Sequence, residues 1–207
     1  MTGLEGLLPL VFTSGWASGV NAYATVLLLG LLGRFAGLDA VPGGLERTDV
    51  LVAAGVLYAM EFVADKVPYI DSTWDAVHTV IRPTVGAAIG LLVAGDATSL
   101  DGAVLAATGG GTALVSHLVK AGLRLAVNTS PEPASNIVVS VGEDLSVAGV
   151  IALLLASPWV AAGIAAVLLV VGLVLVILLA SRIRRALARR RSRRSGTDVP
   201  GEDRSRR

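Results

Sequence analysis

The stretch Glu61–Pro83, EFVADKVPYIDSTWDAVHTVIRP, decides how this chain is read. Between two runs of Leu, Val, Ala and Gly it places Glu61, Asp65, Lys66, Asp71, Asp75 and Arg82. Either these groups mark a wet connection outside a membrane, or they sit inside a helical bundle and act there. A charge at mid-membrane costs ~2.5–3.5 kcal/mol on insertion scales, so an interior group must face a partner or a water-filled cavity.

Composition supplies the setting. Of 207 residues, 54% are hydrophobic and 16% charged, more apolar than the core of a soluble domain requires. The expected fold is all-α, a polytopic helical membrane bundle. Cysteine is absent, which removes disulfides and thiolate chemistry. The chain has no H-E-x-x-H pair, no G-x-S-x-G elbow and no carboxylate-rich di-metal pattern. The expectation is a protein that is not an enzyme, with no catalytic residue, metal or cofactor.

With ~20 residues needed to cross the hydrocarbon, about six spans are expected, near 12–37, 50–67, 73–96, 102–126, 136–156 and 158–181. Pro83 is expected to kink or break the third into an interfacial helix, 73–82, and a half-span, 84–95. The start carries Glu5 and lacks Lys or Arg, so it is read as a retained first span and not a signal peptide. Residues 1–181 then form the membrane domain and 182–207 a disordered tail.

The formal net charge of +1 conceals an asymmetry: the tail holds eleven Arg against Asp198, Glu202 and Asp203, while residues 1–181 hold six basic against thirteen acidic side chains. An Arg-rich segment directly after VLLVVGLVLVILLA (167–180) suits a cytoplasmic face with anionic lipid headgroups as partners. Six crossings would bring the N-terminus to that face as well. Nucleic acid is not expected, because RRALARRRSRR has no aromatic interleaving.

A weak internal repeat stands out. TVGAAIGLLVAG (84–95) aligns without gaps on SVAGVIALLLAS (146–157), and Glu61 falls opposite His117 when the preceding segments are set together. Residues 50–96 and 102–157 would then be two copies of one hairpin, a construction common in transporters, whose sites lie where the copies meet. The substrate- or ion-binding candidates are Asn21, Glu61, Asp65, Asp75, His117, Lys120 and Arg124; Glu61 and Asp65 would take a cation or proton, and His117, Lys120 and Arg124 an anionic solute or headgroup. Lys66, Asp71, Arg82, Glu143 and Asp144 are read as structural ion pairs, with Arg82 neutralised by Glu143 or Asp144. The glycines of GGGTALVSHLVKAGLR (109–124) imply close backbone approach or local unwinding. Asn21 reads as interhelical glue or a site residue, and glycine-lined faces make a homo-oligomer plausible.

Taken together, SGVNAYAT, EFVADKVPYIDSTWDAVHTVIRPTVGA, GGGTALVSHLVKAGLRL and SNIVVSVGEDL resemble a family of uncharacterised bacterial integral membrane proteins known only as a domain of unknown function. The resemblance covers roughly residues 10–180. It implies a multi-span helical bundle in the inner membrane and no established activity. It also implies that the charged residues above, with Pro68 and Pro83, form the family's polar set. Two functions are carried forward: a small transporter or channel-like protein with a charged site near the cytoplasmic face, and a non-transporting scaffold or assembly factor.

Overall fold

The computed structural model describes residues 3–66, 70–95, 99–127 and 133–195; inside the helices, the side chains of 71–72, 126–127, 133–136 and 186–195 fall outside that description. Among the described residues there are seven helices and no strand: α1 (Leu4–Val20), α2 (Ala22–Ala36), α3 (Thr48–Ala64), α4 (Ile70–Ala94), α5 (Leu100–Val127), α6 (Pro133–Ala156) and α7 (Pro158–Ser195). Four of them are long and apolar enough to cross a membrane, over Thr73–Ala94, Leu100–Leu125, Ile137–Ala156 and Pro158–Arg185.

The expected first span is two helices. Asn21 adopts extended backbone, φ −151° and ψ 101°, and its side chain accepts a hydrogen bond from the Ala24 N–H at 2.9 Å, capping α2. The Thr25 hydroxyl donates to the Asn21 carbonyl at 2.8 Å, holding the break from the other side. A short polar side chain that competes with the helical ladder ends α1 here despite an unbroken apolar composition.

This reversal sets the direction of every helix. Gly15 faces Gly109 and Gly19 faces Ala113 and His117, so α1 and α5 run parallel; Gly122 faces Val176 and Gly172 faces Val119, so α7 runs with them. Gly86 lies against Gly109 and Gly90 against Leu105, which makes α4 antiparallel to α5. Gly30 sits under Leu45 and Leu51, placing the end of α2 beside the start of α3. Helices α1, α3, α5 and α7 therefore start at one face, and α7 ends at the other. The expectation that both ends of the chain share a face is corrected, because the break at Asn21 adds one reversal.

Helix α1 is the centre of the bundle. Nearly all of it from Pro9 to Val20 is buried, and α4, α5, α6 and α7 pack around it. In neither expected hairpin do the two helices pack closely on each other. Helix α3 packs mainly on α2, and α4 on α5, whereas α3 barely touches α4 and α5 barely touches α6.

Two further expectations change. Helix α4 runs through Pro83 without interruption. The Thr84 hydroxyl donates to the Val80 carbonyl at 2.8 Å and the Ser18 hydroxyl to the Arg82 carbonyl at 2.9 Å, so polar side chains serve the backbone around the proline. Helix α7 continues through Ser195, well into the segment expected to be disordered. Ala, Leu and Arg all favour helix, and neither Gly nor Pro interrupts 182–195. At 38 residues it is about 57 Å long, nearly twice the hydrocarbon thickness. In the connection 38–47, Val41 and Leu45 are buried against α2.

The GGG motif stays helical and acts by close packing. A Cβ at Gly109 would run into the Gly86 carbonyl and lie 3.3 Å from Val11, while one at Gly111 meets nothing within 4 Å. Gly109→Leu is expected to lower stability by at least about 1–3 kcal/mol through overpacking. Gly111→Ala should be neutral or stabilising, since Ala is the better helix former by ~1 kcal/mol. Thermal unfolding of both variants in detergent checks the pair.

Candidate functional site

The charged residues of the sequence gather in one buried layer. Glu61 and Asp65 come from the end of α3, Asp75 and Arg82 from the first half of α4, His117, Lys120 and Arg124 from the second half of α5, and Glu143 from early α6. Glu61 and Arg82 have no exposed surface, and Asp65, Asp75, His117, Lys120 and Arg124 are at most 5% exposed. The layer lies near the face where α7 ends: His117 to Leu125, the last residue of the α5 span, is about 12 Å of helix.

Arg82 is the first hub. Its Nη2 donates to Glu61 Oε1 at 2.6 Å, and its Nη1 donates to His117 Nδ1 at 2.8 Å and to the Gly19 carbonyl at 3.3 Å. Asp75 Oδ1 lies 3.2 Å from the same Nη1. Arg82 therefore pairs with Glu61 and Asp75, and the expected partners Glu143 and Asp144 go elsewhere. The reason is topological, since α4 packs mainly on α5 and α1 and not on α6.

Lys120 and Arg124 form the second hub. Lys120 Nζ donates to the Val20 carbonyl at 2.9 Å and to Asp65 Oδ2 at 2.8 Å, and lies 3.5 Å from Glu143 Oε2. Arg124 donates to the Asp65 carbonyl at 2.7 Å, to Asp65 Oδ2 at 3.2 Å and to Glu143 Oε2 at 2.6 Å. Lys120 Nζ also approaches Glu61 Oε1 to 4.0 Å, which joins the two hubs.

The broken helix supplies the remaining ligands. With α1 ended at Val20, the carbonyls of Gly19 and Val20 have no helical N–H and point into the layer, Gly19 accepting from Arg82 and Val20 from Lys120, while one turn earlier the Trp16 carbonyl accepts an additional hydrogen bond from Ser116 Oγ at 2.8 Å. The partial negative charge at a helix C-terminus favours cations there. Asn21 itself does not touch these cations. It caps α2 and donates from Nδ2 to Asp144 Oδ1 at 3.1 Å, tying the break to α6.

Geometry fixes the state of His117. Its Nδ1 accepts from an arginine, which has no acceptor of its own, so the ring proton sits on Nε2 and faces the Thr79 hydroxyl at 3.0 Å. His78 has the opposite tautomer, since its Nδ1 lies 2.8 Å from the Trp74 carbonyl and its Nε2 is left to accept from the Tyr23 hydroxyl at 3.2 Å. Proton coupling through His117 would require breaking its bond to Arg82.

Two residues read as ion pairs are held otherwise. Lys66 makes no ion pair among the described residues; its Nζ donates to the Phe62 carbonyl at 2.9 Å and sits over the Phe62 ring. Asp144 is bonded to Asn21 and not to a cation. The Asp71 side chain and Pro68 lie outside the described residues. Sequence reasoning missed Tyr23, Thr79 and Ser18, and above all the carbonyls of Trp16, Gly19 and Val20. The N-cap preference of Asn, with Thr25 four residues on, was the available signal for the break.

The chain can now be placed among known proteins. A family model described as a domain of unknown function, DUF4126, matches residues 8–178. The chain belongs to that family. Its match spans α1 through most of α7 and takes in every residue of the charged layer. No curated protein and no solved structure matches.

Within this DUF4126 domain four described carboxylates, Glu61, Asp65, Asp75 and Glu143, face three cations, Arg82, Lys120 and Arg124. Glu61 Oε2 is buried without a hydrogen-bond partner. Fully ionised, these seven described groups carry one negative charge in excess. Arg82→Met is expected to cost about 3–5 kcal/mol, because it strands Glu61 and Asp75. Adding Glu61→Leu should recover most of that loss and adding Asp144→Ala none of it, as measured by denaturant unfolding in mixed micelles.

Proposed function

We propose that the protein is a small membrane transporter, not an enzyme, that binds a proton or monovalent cation at the carboxylates of the buried layer. The observation that carries this reading is the charge imbalance at a helix break. Among the described residues, four carboxylates face three cations, an excess of one negative charge, and Glu61 keeps a buried oxygen with no hydrogen-bond partner. In a low-dielectric interior such an excess is strongly disfavoured, so a proton or cation is its natural complement. Discontinuous helices whose ends meet at an ionic site are the construction by which many transporters bind ions.

The roles follow from the contacts. Glu61 and Asp75 share Arg82 and compete for it with any incoming charge; Asp65 and Glu143 hold Lys120 and Arg124. An anionic solute is the weaker candidate, because these cations already donate to carboxylates and helix-end carbonyls. With the Arg-bearing end of α7 in the cytoplasm of a bacterial inner membrane, the layer lies toward the cytoplasmic leaflet and α1 begins outside.

A second reading, a non-transporting scaffold, is favoured by that same engagement of the cations. Flux separates the two. Liposomes holding a pH-sensitive dye and the reconstituted protein should show proton entry when a potassium diffusion potential is imposed. Glu61→Gln should reduce the initial rate at least tenfold while thermal unfolding still reports a folded protein, and His117→Ala should also slow it by freeing Arg82. Equal rates in wild type, both variants and empty liposomes would leave the scaffold reading.

A further inference from the structure

We infer that the cavity between α5, α6 and α7 binds an uncharged amphiphile whose head is a hydroxyl, a long-chain alcohol. Helices α5 and α6 hardly touch each other, and α7 packs on both, leaving a cavity of about 310 Å³ backed by α1. Its apolar walls are Val20, Val119, Leu123, Leu168 and Leu169. Gly142 on α6 and Leu168 on α7 are exposed at its rim, so it opens sideways to lipid. A ligand entering that way brings an apolar body. The polar end holds Trp16, Lys120 and Glu143, and Lys120 lies five residues, about 7.5 Å of helix, inside the end of the α5 span at Leu125.

The polar end selects the head group by charge and by hydrogen bonding. Lys120 and Glu143 are the charged residues lining the cavity, one of each sign and 3.5 Å apart, so the wall offers an ion no uncompensated partner. An ionic head would also have to leave the interface for that depth, and a desolvated charge costs far more than a desolvated hydroxyl. The Trp16 indole N–H is an unspent donor: Trp16 is 4% exposed, and among the described residues nothing accepts from its nitrogen. Acceptors stand with it. Glu143 uses Oε2 for Arg124 and Lys120, which leaves Oε1. The Ser116 and Ser146 hydroxyls donate to the Trp16 and Gly142 carbonyls, which leaves their lone pairs. A hydroxyl meets both needs, since it donates one hydrogen and accepts on two lone pairs. An ammonium has no lone pair for the indole, and a carboxylate has no hydrogen for Glu143 and is repelled by it.

The test uses the full chain in phosphatidylcholine nanodiscs, whose lipid carries no hydroxyl, titrated with n-decanol, decanoate, decylammonium and decane. Decanol should raise the thermal midpoint saturably, while the other three change it only in proportion to their partitioning into the bilayer. In the double variant Trp74→Phe/Trp159→Phe, Trp16 is the remaining tryptophan, and decanol should shift its emission to longer wavelength with the same half-saturation. Trp159 is exposed and the Trp74 nitrogen is buried without a partner, so Phe should be tolerated at both. Trp16→Phe should weaken decanol binding about five- to tenfold, the loss of one hydrogen bond. Gly142 lines the cavity and a Cβ there meets nothing within 4 Å, so Gly142→Leu should fold, fill the space and abolish binding. Saturable binding of decane, decanoate or decylammonium as strong as that of decanol, no saturable binding of decanol, or undiminished binding to both Trp16→Phe and Gly142→Leu would overturn the assignment. Because binding is read without flux, absence of proton entry in liposomes would remove the transport reading and leave this site standing.

Discussion

Everything in this bundle depends on the end of α1 at Val20. An arginine and a lysine buried in an apolar bundle need more than a carboxylate each, since desolvating a charge is repaid only when its remaining donors are also satisfied. The carbonyls freed by the break at Asn21 provide that satisfaction. Gly19 receives Arg82 and Val20 receives Lys120, both with the favourable end of the α1 dipole. A continuous helix over 12–37 would have kept those carbonyls in its own ladder and left both cations short of acceptors.

The break also decides the topology. By turning the chain back it makes α1 a buried central helix and gives the bundle its alternating order of seven, with the charged layer near one face. Close packing fixes α1 in place, because Gly15 and Gly19 bring its backbone against α5 and Gly86 brings α4 to the same line. The first helix thus works as a core element, while α7 presents most of its apolar surface outward to lipid.

The charged layer is ordered along two hubs, and its asymmetry carries the functional argument. Arg82 gathers Glu61, Asp75 and His117, whereas Lys120 and Arg124 gather Asp65 and Glu143. The second hub borders the cavity under α7 and the first is sealed from it.

The sequence by itself determined the membrane class, the all-helical fold, and the set of polar residues inside it. These follow from composition and from the cost of charge in hydrocarbon, which are local properties. Spacings of three and four put His117, Lys120 and Arg124 on one face of α5, and that face is buried. Only the tertiary structure decided who pairs with whom. The repeat sets Arg82 opposite Asp144, but the glycine contacts of α4 are all with α5, and its remaining packing is mainly on α1. The break at Asn21 was likewise hidden in an apolar run, since its cost is met by groups distant in sequence. Ser116, Arg82, Lys120 and Asp144 stabilise it from three other helices, and no window of sequence around residue 21 contains them.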